Sequence, residues 1–204
     1  MDIIAFINQK GGGGKSTLAV HTAVAAEQAG RRVIILDRDD KQGSSSSWGE
    51  ARQSDTPPVI TLAASELSKA IKAAEAQGFD TLIIDGPPHS SPDVTEIARH
   101  ASVVIVPVKP SAFDLRPVRA AAKMCKAAKK PPHFVLTMCI PGVRETEEAR
   151  QVLAEYGTVA DVEVHNRISY VRALNGGQSV TEFERTGKAA GEIRELWHWI
   201  EGLL

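Results

Sequence analysis

Short apolar, β-branched runs alternate along the chain with longer stretches in which apolar residues recur every three or four positions. The first pattern predicts strands and the second predicts amphipathic helices. The predicted strands span residues 3–7, 33–36, 59–62, 82–84, 103–106 and 134–138. The predicted helices span residues 16–29, 65–77, 92–100, 115–129, 146–156 and 188–204.

This alternation predicts an α/β fold with a doubly wound, mostly parallel sheet flanked by helices. Most of the predicted strands are apolar almost throughout, as expected when helices cover both faces of a sheet. A chain of 204 residues can share one hydrophobic core, so we expect a single domain over residues 1–204. The Ser-rich segment 43–47 predicts a short loop.

Composition narrows the class of protein. The hydrophobic share of 43% is ordinary for a globular protein, and no apolar run approaches the roughly 20 residues of a membrane span. The N-terminus carries no signal-peptide pattern, so we expect a cytoplasmic protein. Cys125 and Cys139 form no CxxC pair, which argues against a zinc or iron-sulphur site and predicts buried packing. A net charge of -1 excludes a grossly basic nucleic-acid binder but not a local basic patch.

A glycine run flanked by lysines joins the first predicted strand to the first predicted helix. The strict pattern Gly-x-x-x-x-Gly-Lys-[Ser/Thr] ends correctly on Gly14-Lys15-Ser16 but has Gln9 where its first glycine would stand. The candidate phosphate-binding residues are Lys10, Gly11, Gly12, Gly13, Gly14, Lys15, Ser16 and Thr17. Glycines let backbone N–H groups turn toward phosphate oxygens, and the following helix adds its positive N-terminal end. Lys15 is expected to reach the terminal phosphates and Ser16 to ligate Mg²⁺, the alternative being a glycine-rich turn with a chance lysine.

Carboxylates end two other predicted strands. Asp85 follows an apolar strand and precedes Gly86-Pro87, so it lies at the sheet edge where α/β proteins bind ligands. It is the candidate that holds Mg²⁺ through water, unless it only initiates a turn. Asp39 and Asp40 follow Asp37 after the second strand, and this cluster is suited to contact Mg²⁺ and position the attacking water. A solvated acidic loop is the competing interpretation.

Four segments taken together resemble the ParA/MinD superfamily of ATPases with a deviant Walker A loop. They are the loop opened by Lys10, residues 37–43, residues 84–88 and residues 106–111. The resemblance covers nearly the whole chain and is closest to the short ParA-type plasmid partition proteins called ParF-like. One departure is that the family usually has Asp-Pro-Gln-Gly after the second strand, where this chain has Asp39-Asp40-Lys41-Gln42-Gly43. Which of the two aspartates assists hydrolysis therefore stays open.

The resemblance implies an ATPase that uses ATP and Mg²⁺ and forms a homodimer around ATP. It implies that Lys10 crosses to the partner's phosphates and that Pro107 borders the nucleotide base. It also implies a nucleoid-associated DNA segregation ATPase that binds non-specific DNA and is stimulated by a small ParB-like or centromere-binding partner protein. ATP-dependent dimerisation followed by hydrolysis would also suit two alternative functions. One is positioning of a protein cargo such as a microcompartment or receptor array, and the other is MinD-like positioning on a membrane.

The C-terminal tail argues against the membrane alternative. Residues 192–204 are amphipathic but carry three glutamates against one arginine, and anionic lipid would repel them. We therefore expect this helix to pack on the sheet, and we expect no membrane partner. Sequence alone does not exclude a scaffold that binds nucleotide without hydrolysing it.

A basic stripe is the candidate DNA surface. Arg116, Arg119, Lys123, Lys126 and Lys130 recur at steps of three or four, so they share one face of a helix, with no acidic residue between the first and the last. A solvated outer face of a helix would show the same pattern. The family's use of C-terminal basic residues adds four further candidates, Arg144, Arg150, Arg167 and Arg172.

Overall fold

One parallel sheet forms the centre of the protein. The computed structural model describes residues 1–39, 43–88 and 92–204, and within them eight strands form this sheet. The strands are β1 (Asp2–Phe6), β2 (Val33–Asp37), β3 (Val59–Thr61), β4 (Thr81–Asp85), β5 (Val103–Val108), β6 (Pro132–Cys139), β7 (Thr158–Val159) and β8 (Val164–His165). Their order is β3-β2-β4-β1-β5-β6-β7, with β8 also pairing with β6. The predicted doubly wound parallel fold is confirmed, and the carboxyl end of β1 lies where the strand order reverses.

Helices cover both faces of the sheet. They are α1 (Lys15–Gln28), α2 (Ser44–Ala51), α3 (Leu67–Ala76), α4 (Pro92–His100), α5 (Ala112–Leu115), α6 (Val118–Ala127), α7 (Arg144–Ala154), α8 (Ile168–Asn175), α9 (Val180–Phe183) and α10 (Lys188–Glu201). Alternate side chains of β1 show the two layers: Ile4 and Phe6 pack with α1, α8 and α10, whereas Ile3 and Ala5 pack with α3, α4, α6 and α7. The central strands are buried on both faces, as their continuous hydrophobicity predicted.

Two predicted elements were wrong. The segment 43–47 is not a loop, because Ser44 begins α2 and the buried Trp48 anchors this helix in the core. The single helix over residues 115–129 is two helices, α5 and α6, which Arg116 and Pro117 separate. Proline lacks the N–H that a continuous helix needs and disfavours a helical residue before it. The sequence pattern also did not predict β7, β8, α8 and α9.

The C-terminal helix packs as expected. Ile193, Leu196, Trp197 and Ile200 of α10 are buried against the sheet face that α1 also covers. Across residues 1–39, 43–88 and 92–204, none of the helices combines the length and hydrophobicity that a membrane span requires.

The cysteines are free and buried, as the sequence predicted. Burial raises the pKa of the Cys125 thiol to about 11 and that of Cys139 to about 12, so both remain protonated at neutral pH.

Candidate nucleotide-binding site

The glycine loop joins the end of β1 to the start of α1. Gly12 and Gly14 have φ angles of 74° and 92°, in the left-handed region that glycine adopts without strain. Gly13 needs glycine for another reason, because a β-carbon there would stand 2.6 Å from Nδ2 of Asn8. The backbone N–H groups of Gly11, Gly12 and Gly13 donate to no acceptor in the described part of the chain. Unpaired N–H groups at the start of a helix suit an anionic phosphate.

Neighbouring strands brace this loop. Nδ2 of Asn8 donates to the carbonyl of Pro107 in β5 over 2.5 Å, and Oδ1 of Asn8 accepts from the N–H of Lys10 over 3.1 Å. The hydroxyl of Thr137 in β6 donates to the carbonyl of Gly13 over 3.0 Å. Pro107, predicted to border the base, thus lies against the loop and does not line the cavity beside it. Asn8 and Thr137 were not among the predicted site residues, although both are polar residues at or near the carboxyl ends of apolar strands.

Lys15 is the first residue of α1 and only 7% exposed. Burial lowers the pKa of its ammonium group, while the charges of Asp85 and Asp39 oppose that shift. The buried cation therefore has two carboxylates near it, Asp85 at the end of β4 and Asp39 just after β2.

Asp85 ends β4 and is completely buried. The Ser45 hydroxyl donates to its Oδ2 over 2.7 Å, whereas Oδ1 accepts no hydrogen bond from any described residue. Burial raises the pKa of this carboxyl to about 6, against the effect of the Ser16 and Ser45 hydroxyls and the Lys15 charge. A buried carboxylate oxygen without a donor, close to the Ser16 hydroxyl, fits the oxygen ligands and bound waters that Mg²⁺ prefers. The fold therefore brings the two predicted metal residues, Ser16 and Asp85, close together.

The acidic residues after β2 have separate places. Asp37 accepts from the N–H of Asp39 over 3.0 Å and from the N–H and hydroxyl of Ser46 over 2.8 Å each, so it holds the start of α2. Asp39 is buried and lines the cavity beside the glycine loop. Asp40 lies outside the described residues. The alternative of a solvated acidic loop therefore does not apply to Asp37 or Asp39.

A cavity of about 520 Å³ lies beside the loop. Its walls include Trp48 of α2, Leu174 and Asn175 of α8, and Met138 at the end of β6. The Trp48 indole N–H donates to the carbonyl of Gln178 over 3.2 Å, which fixes this wall. None of these four wall residues was predicted from the sequence, and three of them lie in α2 and α8, which were not predicted either.

A smaller cavity of about 100 Å³ adjoins Gly14 and Thr17. Asn166 and Arg167 border it at the entrance to α8. Glu192 of α10 holds the segment 165–170 in place. Its carboxylate accepts hydrogen bonds from the Arg167 guanidinium, from the Tyr170 hydroxyl over 3.0 Å and from the N–H of His165 over 3.2 Å. The C-terminal helix therefore holds the segment that lines this cavity.

Lys10, which opens the glycine loop, does not line the cavity beside it. Its ammonium group lies 2.9 Å from Oδ1 of Asp114 in α5, and its side chain is 43% exposed. Partial burial would raise the pKa of Asp114, but the hydrogen bonds from Lys10 and Ser111 and the charges of Lys10 and Lys109 outweigh it and lower the pKa. In the single chain Lys10 is thus paired with a carboxylate.

The basic stripe is shorter than predicted, because the predicted helix is broken. Arg116 lies at the junction of α5 and α6, its guanidinium carbon is 5.3 Å from the centre of the Phe113 ring, and it does not border the groove described next. The remaining four predicted cations border a groove of about 680 Å³ together with Lys129, Tyr156 and Glu155. We call this surface the basic groove, and its cations are Arg119, Lys123, Lys126, Lys129 and Lys130. It borders Pro132 at the start of β6, whereas the glycine loop lies at the carboxyl ends of the strands.

The four C-terminal arginines have different roles. Arg150 donates to the carbonyl of Ala160 and pairs with Glu163, and Arg167 pairs with Glu192, so both hold the fold. Arg144 pairs with Glu148 on an exposed turn of α7, and Arg172 is exposed. Among these four predicted DNA contacts, only Arg144 and Arg172 remain on an open surface.

Comparison with known proteins agrees with this geometry. Residues 2–57 match the family model described as ATPase MipZ. The maintenance of carboxysome distribution protein A of Gloeobacter kilaueensis is 28% identical over 195 residues, covering 93% of this chain and 88% of that protein. The chromosome-partitioning ATPase Soj of Thermus thermophilus is 27% identical over 143 residues, covering 56% of this chain and 57% of Soj. The septum site-determining protein MinD of Pyrococcus horikoshii, solved with Mg-ADP, superposes with a TM-score of 0.82 at 17% identity, over 99% of this chain and 96% of that one.

Proposed function

Because the chain belongs to the ParA/MinD superfamily of P-loop ATPases, we propose that it is a positioning ATPase whose cargo is a protein assembly. The chain hydrolyses ATP and uses Mg²⁺, as members of this superfamily do. The observation that carries the proposal is the braced glycine loop, with buried Lys15 and Asp85 at the carboxyl ends of the central strands.

Each polar group at the loop has a proposed task. The unpaired N–H groups of the glycines and the ammonium of Lys15 bind the phosphates, which matches their partial and full positive charges. Ser16 would ligate Mg²⁺ and Asp85 would hold its water ligands, and the bound cation would supply positive charge opposite the phosphates. Asp39, buried in the cavity wall, orients the attacking water.

The small cavity beside Gly14 and Thr17 is the proposed site of the base. Apolar walls from Met138, Val171 and Leu174 suit a flat ring, and the side chains of Asn166 and Arg167 supply polar edges. This assignment replaces the predicted role of Pro107.

The ATP-bound form is proposed to be a homodimer. Lys10 would leave Asp114 and reach the phosphates bound by the second copy, as its resemblance to the signature lysine of the superfamily implies. ATP hydrolysis then returns the protein to single chains. A small partner protein would stimulate this step.

The extent of the matches favours a protein cargo. The carboxysome relative aligns with 93% of the chain, whereas Soj aligns with 56%. DNA segregation, the function that the sequence first suggested, becomes the second candidate, and the Soj match supports it. In both cases non-specific nucleoid DNA is the proposed track, and the basic groove is the proposed surface that contacts it.

The test compares cargoes in the native host. A chromosomal Lys15→Gln substitution should abolish the regular spacing of a fluorescently labelled protein assembly and leave plasmid retention unchanged. Loss of plasmids with normally spaced assemblies would favour DNA segregation instead. The neighbouring reading frame supplies an independent check, because a small basic DNA-binding protein encoded there would also favour segregation.

A further inference from the structure

A third lysine, Lys109, lies beside the glycine loop. Lys109 follows β5, and its Nζ is 3.8 Å from the point where a β-carbon on Gly12 would stand. Its side chain is half-buried. Gly12 belongs to the group of glycines whose N–H groups have no acceptor among the described residues, so this ammonium group stands next to unpaired donors.

Two ammonium groups, those of Lys10 and Lys109, lie near the single carboxylate of Asp114. One carboxylate, that of Asp114, serves both Lys10 and Lys109 in this region, and it is hydrogen-bonded to Lys10 at 2.9 Å. In the described ranges no carboxylate lies within 4.0 Å of the Lys109 ammonium. A half-buried ammonium group with no carboxylate beside it keeps its charge available for an anionic ligand.

We propose that Lys109 is a second phosphate-binding lysine of this site, acting on the nucleotide held by its own chain. The inference rests on the proposed function, since it requires ATP at the glycine loop. Lys15 approaches the phosphates from the start of α1, and Lys109 approaches the outer turn of the loop from the end of β5. A lysine suits this position because its ammonium is a compact charge on a flexible stem that adjusts to a phosphate oxygen.

This assignment separates the tasks of three lysines. Lys15 and Lys109 bind phosphates within one chain. Lys10 is held by Asp114 until a second copy arrives. Loss of Lys109 should therefore weaken nucleotide binding by the single chain, whereas loss of Lys10 should weaken only the dimer.

The experiment measures equilibrium binding of a fluorescent ATP analogue and a fluorescent ADP analogue at protein concentrations below dimerisation. The variants are Lys109→Gln, which removes the charge, and Lys109→Arg, which keeps it. The matched control is Lys72→Gln, an exposed lysine of α3 on a remote part of the surface. Thermal melts without nucleotide check that each variant is folded.

We expect Lys109→Gln to lower ATP affinity by about tenfold, the effect of one charge-assisted hydrogen bond at a partly exposed site, and to lower ADP affinity less. Lys109→Arg should restore most of the ATP affinity, and Lys72→Gln should match the parent. Equal ATP affinity of Lys109→Gln and the parent would overturn the inference and leave the proposed function intact. If arginine restored nothing, packing rather than charge would explain the loss, which also overturns it. If the parent itself bound no ATP, the proposed function would fail first.

Discussion

Asp37 and Asp85 stand opposite each other in the register of β2 and β4, yet their carboxylates have different partners. The carboxylate of Asp37 accepts three hydrogen bonds, all from Asp39 and Ser46. Asp85 accepts one hydrogen bond, from Ser45, and has an oxygen without a donor in the described residues. One carboxylate therefore holds the start of α2, and the other keeps a buried oxygen without a donor in the described residues.

This difference predicts opposite effects on stability. Asp37→Ala should lower the free energy of unfolding by about 2 kcal/mol, because the buried N–H of Asp39 and the partly buried donors of Ser46 lose their acceptor. Asp85→Asn should raise it by about 1 kcal/mol without nucleotide, because a buried charge with an unpaired oxygen is removed. Urea unfolding of both variants, without Mg²⁺ or nucleotide, measures this. Equal destabilisation by the two substitutions would contradict the separation of their roles.

Asp39 is expected to affect turnover and not binding. Its carboxylate lines the cavity and influences Lys15, so Asp39→Ala should slow hydrolysis by about tenfold or more while the ATP-bound dimer accumulates. Light scattering with ATP and a phosphate-release assay, run on the same samples, follow both quantities. Asp40→Ala is the matched control. If Asp40→Ala hydrolysed ATP slowly and Asp39→Ala hydrolysed it at the normal rate, Asp40 and not Asp39 would assist hydrolysis.

The ion pair between Lys10 and Asp114 should set how readily the dimer forms. Lys10→Ala should bind ATP as a single chain but fail to dimerise, and turnover should fall with it. Asp114→Asn should instead dimerise at several-fold lower protein concentration, because an ion pair of this exposure is worth about 0.2–1 kcal/mol in each chain. Analytical ultracentrifugation with ATP and Mg²⁺ measures both variants. Normal dimerisation of Lys10→Ala would rule out a lysine acting across the interface.

The basic groove should supply most contacts to the DNA backbone. Replacing Arg119, Lys123 and Lys126 by Glu should reduce the slope of log affinity against log salt by roughly 0.9 for each phosphate that the protein no longer neutralises. Sequence preference should be absent, since phosphate contacts do not read bases. Binding of random duplex DNA with ATP, measured across a salt series, gives the slope.

The control for this experiment changes the same amount of charge elsewhere. Lys69, Lys72 and Arg185 are exposed, and their joint replacement by Glu should leave the salt slope unchanged. If the control and the groove variant bound DNA equally weakly, only net charge would matter. A weakening confined to Arg144→Glu or Arg172→Glu would move the contact surface to α7 or α8.

The sequence predicted the parts of the fold that depend on local pattern. The central strands are long and apolar, and the glycine loop is recognisable because Gly12 and Gly14 occupy conformations that favour glycine. The strands β7 and β8 contain two residues each, which is too short for any periodicity. A capping-box pattern, Ser179 followed by Glu182, was available as a signal for α9 and was missed.

Other features depend on interactions between distant residues. Helix α2 begins with four serines, which are indifferent helix formers, and it is held by Asp37 and by the burial of Trp48. The small cavity depends on Glu192 holding residues 165–170 from the C-terminal helix. No local pattern predicts such an interaction. The role of Lys15 at the loop remains a prediction, which its burial beside two carboxylates supports. The residues that form the walls of the cavity could be identified only from the structure.

Phosphate release from ATP by the purified protein, compared between the parent and Lys15→Gln, tests the central claim most directly. Lys15 is the buried cation at the glycine loop, and removing its charge deprives the phosphates of their main counter-charge. The account predicts Mg²⁺-dependent release by the parent, release at background level by Lys15→Gln, and a far-ultraviolet circular dichroism spectrum that the substitution leaves unchanged. Equal release by the parent and a folded Lys15→Gln variant would contradict it.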